Sequence, residues 1–212
     1  LLGIVLEQVD ASEAVAEQMV INEATVSGLK LSAASFERCL FIGLELGGAD
    51  LSQIKLLRCA FINCEAAKIN FSQAQFDSVA FVETCILTQA QFVGARLQGC
   101  NLREMPLDGA DFSHAQLDRA DLSGASLVRA NFYRASAKEA RFDKADLSDA
   151  SLLAANLMGA SFMNAMICAA DLRGANLFGA DMARVRSDHR VRLDDALLTK
   201  VRVNPKHVEP QA

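Results

Sequence analysis

Alanine occupies every fifth position from Ala110 to Ala180, fifteen times without interruption. Two residues after each of these alanines stands a Leu, Phe, Ile, Met or, once, another Ala. Neither a helix of 3.6 residues per turn nor a strand with alternating faces needs a strict period of five. The chain is therefore predicted to be a repeat protein in which short consecutive units stack.

The five-residue period extends upstream of the alanine run, with one break. Large apolar centres continue back to Leu87, but those between Ile21 and Phe81 lie one residue out of phase. One additional residue near 83–84 is therefore predicted to form a bulge. There are thirteen centres before the break and twenty after it, thirty-three in total.

The repeating units have a recognisable composition. Ala-Asp-Leu-Ser-Gly at 120–124 and Ala-Asp-Leu-Arg-Gly at 170–174 closely resemble the pentapeptide-repeat family, whose unit reads small, Asp or Asn, Leu or Phe, small or polar, any residue. The resemblance covers about residues 19–183. It implies an all-β fold, a right-handed quadrilateral parallel β-helix. In that fold four units make one coil, the central and small residues point inward, and the other three face solvent.

The spacing of phenylalanines also favours four units per coil. Phe41, Phe61 and Phe81 are separated by twenty residues, so a four-unit coil stacks them in one buried column. Thirty-three units then make about eight coils. At about 4.8 Å between stacked strands the rod is about 40 Å long.

Three segments outside the repeats are predicted. Residues 1–18 are expected to form an N-terminal cap, in which Asp10 and Glu13 cap a short helix. Residues 184–204 are expected to form an irregular last coil that caps the rod, with a dimerising helix as the alternative. Residues 205–212 have the composition of a disordered tail.

Five of the six cysteines occupy the small inward position that alanine holds elsewhere: Cys39, Cys59, Cys64, Cys85 and Cys100. They are predicted to be reduced, buried fillers, because a thiol packs there as a small hydrophobe. A disulfide between Cys39 and Cys59 stays open, since stacked coils bring them together. The absence of Cys-x-x-Cys and of mixed His/Cys spacing argues against zinc.

No catalytic motif is found in the sequence. There is no Gly-x-Ser-x-Gly and no glycine-rich phosphate motif, and His114 is a single outward histidine. The recurring Asp residues before the centres are expected to be solvated surface. We therefore expect a protein that is not an enzyme and has no cofactor or metal.

The chain is also expected to be cytoplasmic. No run of eighteen apolar residues could span a membrane, and the first six residues are too short for a signal peptide. Because residue 1 is leucine, either a tag was removed or the sequence belongs to a longer protein.

Charge decides between two functions that the resemblance allows. The best-known family activity is protection of DNA gyrase and topoisomerase IV by an acidic rod that mimics duplex DNA. Here the net charge is −5, and bases such as Arg119, Arg129 and Lys138 interrupt the acids along the middle. A duplex mimic requires a continuous negative field. The mimic is therefore the alternative, and direct nucleic-acid binding is not expected.

Apolar side chains at outward positions point to a protein partner. The candidate binding residues are Leu40, Ile42, Ile62 and Val82 in the first half, and Leu153, Met158, Met163 and Phe178 on adjoining faces in the second. Contiguous exposed apolar area usually marks a surface that something covers. The cover is expected to be residues 1–18, the tail, a second copy in a homodimer, or another protein.

A second resemblance concerns the end of the chain. Residues 176–186 and 196–203 look like the C-terminal repeat region of adaptor proteins encoded with bacterial type VI secretion systems. In those proteins the repeats follow a DUF2169-type domain, which this sequence lacks. The resemblance implies a bacterial scaffold for effector loading or delivery, and this is the function predicted first.

Overall fold

The computed structural model describes residues 5–7, 9–22 and 25–203, and none of these residues is helical. Ten short strands lie in the first part: β1 (Val5–Glu7), β2 (Val15–Glu17), β3 (Val20–Asn22), β4 (Thr25–Ser27), β5 (Ser35–Glu37), β6 (Leu40–Ile42), β7 (Lys55–Leu57), β8 (Ala60–Ile62), β9 (Gln75–Asp77) and β10 (Ala80–Val82). Single parallel bridges continue the same ladders as far as Arg202. The all-β parallel solenoid is confirmed.

Four columns of parallel bridges run along the rod. The Val15 column begins with β2, β5, β7 and β9, and the Val20 column with β3, β6, β8 and β10. A Glu45 column lies in line with β1 and β4. The Asp10 column has ten rungs: Asp10, Lys30, Asp50, Asn70, Gln91, Asp111, Asn131, Ser151, Asp171 and Arg192. Ten rungs correspond to more coils than the eight expected, because residues at both ends of the repeats also join the ladders.

Hydrogen bonds between coils have a fixed direction. In the unit around Leu31, the N–H groups of Leu31 and Ala33 donate to carbonyls of the next coil toward the C-terminus. The carbonyl of Leu29 accepts from the N–H of Asp50 in that same coil. Each such unit therefore presents two donors and one acceptor to the coil above it. The coil above supplies two acceptors and one donor, so every coil satisfies its neighbour.

The interior is filled by the small and central residues of each unit. Phe41 and Phe61 stack with ring centroids 4.6 Å apart, and Phe61 and Phe81 stack at 5.3 Å. A second stack runs through four aromatic rings, Phe71, Phe92, Phe112 and Phe132. Alanine at the small position leaves room for these rings, and every alanine from 110 to 180 is buried at that position.

The predicted bulge is present. Below it residues pair at a separation of twenty, whereas Glu65 pairs with Ile86 and Asn70 with Gln91, a separation of twenty-one. A second extra residue follows Arg186, since Asp171 pairs with Arg192. The sequence pattern marked a break there without showing that one inserted residue accounts for it.

Both ends of the described rod are coils that belong to the same ladders. Asp10 pairs with Lys30 and accepts a hydrogen bond from the N–H of Ser12, so the short helix expected there is wrong. Strand pairing satisfies backbone groups that a helix would have satisfied internally. At the other end Arg202 bridges Asp181, so a coil stands where a dimerising helix was the alternative. Residues 205–212 lie outside the described part of the chain.

Candidate protein-binding surfaces

One side of the rod carries a four-stranded sheet with an apolar outer surface. In the Val20 column, β3, β6, β8 and β10 pair in parallel and in register. Seven of their eight outward residues are apolar and form what we term the N-terminal apolar face: Val20, Leu40, Ile42, Ala60, Ile62, Ala80 and Val82. The eighth is Asn22, which pairs with Ile42. The structure thus brings together all four residues predicted in the first half of the chain.

The members of this face are exposed to different degrees. Val20 is 48% exposed and Val82 is 42% exposed, whereas Leu40, Ile42 and Ile62 are half-buried against one another. Val20 was not among the residues predicted for this face, although it lies within the predicted repeats. The five-residue period around Ile21 was the signal that could have found it.

Polar groups border the N-terminal apolar face at its upper limit and along one side. Asn101 bridges Ala80 at its upper limit. Along one side, Arg38 lies 3.0 Å from a carboxylate oxygen of Glu17 and 3.3 Å from one of Glu37. An apolar centre inside a polar rim is the arrangement found in protein–protein interfaces.

The residues predicted in the second half do not form one surface. Leu153, Met158 and Met163 belong to consecutive units and so lie on three successive sides of one four-sided coil. Leu153 and Met163 therefore lie on opposite sides of the rod. Met158 and Phe178 share a column, and Lys200 Nζ lies 5.2 Å from the centroid of the Phe178 ring.

Met163 lies among charged residues. Its N–H donates to Asp143 Oδ1 at 3.0 Å, and Arg141 and Lys144 line the same shallow groove. Met163 is 39% exposed, but no apolar neighbour extends its surface within this groove. The N-terminal apolar face is therefore the better candidate for a binding surface.

The acidic residues have structural roles at the corners of the coil. Asp111, Asp121 and Asp146 each accept a hydrogen bond from the backbone N–H two residues later. Such Asx turns satisfy a corner donor. In the described part of the chain, no group of three or more His, Cys, Asp or Glu side chains could hold a metal ion. His114 is exposed, with its ring 5.5 Å from that of Tyr133.

The five inward cysteines are buried and free, so the Cys39–Cys59 disulfide is not formed. The Cys59 thiol donates to the carbonyl of Phe36 at 3.3 Å. Burial raises the pKa of Cys59, and burial followed by the charge of Asp77 raises that of Cys100 to about 12. The thiols of Cys59 and Cys100 are therefore held in the protonated form and are poor nucleophiles.

Within the described residues there is no helix long and apolar enough to cross a membrane. Four ladders of parallel bridges around an Ala- and Phe-filled interior define a four-sided β-solenoid built from five-residue units. The sequence matches the family models of the pentapeptide repeat region over residues 34–112 and of pentapeptide repeats over 115–152, 125–162 and 145–184. The chain belongs to the pentapeptide repeat family.

Solved structures with this fold include QnrB1, a plasmid-mediated fluoroquinolone resistance protein. QnrB1 is 20% identical over 91% of this chain and 94% of its own, with a TM-score of 0.59. HetL, involved in heterocyst differentiation regulation in the cyanobacterium Nostoc sp. strain PCC 7120, is 25% identical over 92% of this chain and 89% of its own, with a TM-score of 0.40. Comparison with curated proteins gives no match. The likeness to QnrB1 establishes the fold alone.

Proposed function

We propose that this protein is a non-catalytic scaffold that binds another protein through the N-terminal apolar face. The observation that carries the proposal is the set of seven apolar outward residues on one four-stranded sheet, bounded by polar groups. Most pentapeptide repeats elsewhere in the chain place Ser, Asp, Asn, Gln or charged residues at such positions. A surface that only contacts water has no physical need for Ile42, Ile62 and Val82 together.

Burial of this face would supply a moderate binding energy. A large aliphatic side chain contributes about 1.5–3 kcal/mol when it is transferred fully from water. Ile42 and Ile62 are already half-buried by neighbouring strands, so each retains only part of that contribution. The complementary partner is a protein with its own apolar patch, because the face offers few hydrogen-bonding groups.

A finer role, the loading or delivery of effectors in type VI secretion, rests on residues 176–203 and gains no support from the comparisons. Gyrase protection gains none either. Arg119 pairs with Glu139 at 3.0 Å, and Arg103 pairs with Asp121 at 3.3 Å. These ion pairs interrupt the negative field that imitation of a duplex requires.

The experiment compares the wild-type protein with Ile62→Lys and with Gln116→Lys, a control on an exposed outward position of the Val15 column. The immobilised wild-type protein captures proteins from a bacterial lysate, and the captured proteins are purified. Their affinities for the wild-type protein and for each variant are then measured. Ile62→Lys should weaken binding at least about tenfold, because a lysine would be buried against apolar groups. The control should change the affinity by less than about twofold.

The gyrase alternative has its own measurement. Dose-dependent protection of purified gyrase in a supercoiling assay, lost at high salt, would overturn the scaffold proposal. Equal capture by wild type and Ile62→Lys would also overturn it. Circular dichroism of each variant shows whether the coil remains folded.

A further inference from the structure

Three sulfur-containing residues follow one another in one inward column of the rod, which we term the sulfur column: Cys64, Cys85 and Met105. The N–H of Ile86 donates to the carbonyl of Cys64 at 3.0 Å, so the two cysteines occupy paired units. The N–H of Leu87 donates to the carbonyl of Pro106, which places Met105 in the next coil above Cys85. All three residues are buried. Because they come together only through stacking of coils, a search for Cys-x-x-Cys spacing does not find them.

The two thiols of the sulfur column lie directly above one another. Cys64 donates to the carbonyl of Phe41 at 3.3 Å, and Cys85 donates to the carbonyl of Phe61 at the same distance. Because Phe41 and Phe61 are paired in neighbouring coils, the two sulfur atoms are separated by one strand spacing, about 4.8 Å. A hydrogen bond from the Cys64 thiol lowers the pKa of Cys85, and the same contact raises the pKa of Cys64.

This spacing suits a cation that is bound in line between two sulfur atoms. A bond between zinc and a thiolate is about 2.3 Å long, and two bonds of that length in line span about 4.6 Å. A disulfide requires the two Cβ atoms to be about 3.5–4.5 Å apart, which is closer than stacked coils place them. Binding of a cation therefore displaces the coils less than formation of a disulfide does.

The available ligands select a soft cation. Thiolate and thioether sulfur atoms are ligands that Cu(I) prefers. Structural zinc takes four ligands and iron–sulfur clusters take four thiolates, whereas the sulfur column supplies two thiols and one thioether. In the described part of the chain the polar side chains that are buried belong to Ser113, Ser123 and Asp143, and none of these lies in the column. The column therefore offers no oxygen ligand for a hard cation.

The packing of the coils is interrupted on both sides of Cys85. Just before it in the chain, the bulge inserts one additional residue, and Glu83 and Thr84 are both exposed. In the coil above, Pro106 has no N–H, so the carbonyl of Cys85 cannot receive the hydrogen bond that the carbonyl of Cys64 receives. Fewer hydrogen bonds between coils make local opening easier. The bulge therefore gives a short path from solvent to the buried thiols.

A second pair of stacked cysteines differs from the sulfur column. The N–H of Ala60 donates to the carbonyl of Cys39 at 3.0 Å, so Cys39 and Cys59 also lie in one column. Their coils pair at the regular separation of twenty residues, without a bulge. Met19 below them is only partly buried, and burial raises the pKa of Cys59. This pair therefore has no comparable path to solvent and keeps its protons more firmly.

We propose that the sulfur column is a binding site for one soft monovalent cation, Cu(I), held in line by the sulfur atoms of Cys64 and Cys85, with Met105 as the third ligand. One thiol proton leaves for each cation bound, so the buried complex has no net charge, as the apolar interior requires. The site lies inside the rod and needs no partner protein, so it is independent of the scaffold function.

Anaerobic titration of the reduced chain with Cu(I), in competition with a chromogenic Cu(I) chelator, measures the site. We expect one tightly bound Cu(I) per chain and an ultraviolet absorption from charge transfer between thiolate and copper. Copper X-ray absorption should show sulfur neighbours alone. A chain that leaves all the Cu(I) with the chelator, or that binds it through nitrogen or oxygen, overturns the proposal.

Two variants and a matched control locate the cation. Loss of a group that only supports a ligand costs about 10–100-fold in metal affinity, so Cys64→Ala and Cys85→Ala should each cost at least about a hundredfold. Both should remain folded, because alanine is buried at the same position in later coils. Cys100 is an inward thiol with Ala120 above it, and Cys100→Ala should change the affinity by less than about twofold. Equal losses in all three variants, or no loss in the first two, refute the site.

The thioether and the unaltered chain give two further measurements. Met105→Leu keeps an apolar side chain and should weaken Cu(I) binding about tenfold, and an unchanged affinity would remove Met105 from the ligands. At a free Cu(I) concentration of about ten times Kd, about one site in eleven stays empty, so alkylation of Cys64 and Cys85 should slow about tenfold. Alkylation of the half-buried Cys168 should not change. Equal alkylation of Cys64 and Cys85 with and without Cu(I) would contradict the proposal without any substitution.

Discussion

The corner of each unit holds one residue in the left-handed backbone region. Glycine takes this position in some units, but Ala33, Ala154 and Ala169 take it at φ of 58°, 56° and 57°. A side chain with a Cβ is strained there by about 1–2 kcal/mol relative to the right-handed region. In many units an Asp or Asn side chain accepts a hydrogen bond from the backbone N–H two residues later, just before the corner residue. This hydrogen bond holds the turn in place. The fold therefore tolerates repeated local strain because the next coil fixes each corner.

Relief of this strain should stabilise the protein. We expect Ala154→Gly to raise the free energy of unfolding by about 0.5–1 kcal/mol, because glycine adopts a positive φ without a Cβ clash. The adjacent Ala155 points inward and is 1% exposed. Ala155→Gly should lower the free energy of unfolding by about 1–2 kcal/mol through lost packing and added chain entropy. Urea denaturation measures both; the opposite order would contradict the inward and outward assignment.

Where a unit lacks Asp or Asn before its centre, a carboxylate of the previous coil can accept the hydrogen bond from the backbone N–H at the corner. Asp118 accepts from Ser136 Oγ at 2.6 Å and from the N–H of Lys138 at 3.0 Å, both in the next coil. Burial opposes ionisation of Asp118, but these hydrogen bonds outweigh it and hold its pKa below the ordinary 3.8. This contact could not be predicted from the sequence, because it joins different positions of two units that lie far apart along the chain.

The lowered pKa of Asp118 predicts a pH dependence of stability. Because the folded state favours the carboxylate, its stabilisation is present above pH 3.8 and is lost as the pH falls through the lowered folded value. Asp118→Asn should therefore flatten the decrease in unfolding free energy below pH 4. Asp149→Asn is the control, since Asp149 is exposed and accepts no side-chain hydrogen bond among the described residues. Equal acid profiles for Asp118→Asn and wild type would contradict the role.

At the scale of the coil, the sequence predicted much of the fold for a physical reason. Each coil repeats the same inward positions, so the period alone identifies the core, the stacked rings of Phe41 and Phe61, and the bulge. The period does not show where ladders end, so the pairing of Asp10 with Lys30 was not predicted. The pairing of Phe71 with Phe92, at 5.4 Å, was missed because the bulge changes their separation to twenty-one.

Removal of the bulge should be tolerated. Glu83 is exposed at the corner with a positive φ, and its deletion would restore a coil of twenty residues. We expect the free energy of unfolding to change by less than about 1 kcal/mol. Deletion of Ser123 from a regular coil would instead shift every downstream residue by one, which moves inward side chains outward. Thermal denaturation followed by circular dichroism should show a folded protein for the first deletion and loss of the transition for the second.

At the scale of the whole rod, stability is a sum of contacts between neighbouring coils. Interior coils have two neighbours, whereas the end coils have one among the described residues. Leu193, Leu198 and Val203, the central residues of units in the last coil, are 40%, 46% and 62% exposed, although the central residues of coils in the middle are buried. Local opening should therefore begin at the ends and require more free energy toward the centre.

Amide hydrogen exchange tests this gradient with matched hydrogen bonds. The N–H of Arg202 donates to Ala180 at 2.9 Å, and that of Asn131 donates to Ala110 at the same distance. In dilute protein we expect exchange at Arg202 to be at least about a hundredfold faster, because one interface opens there instead of several. Equal rates would mean that the rod unfolds as one unit.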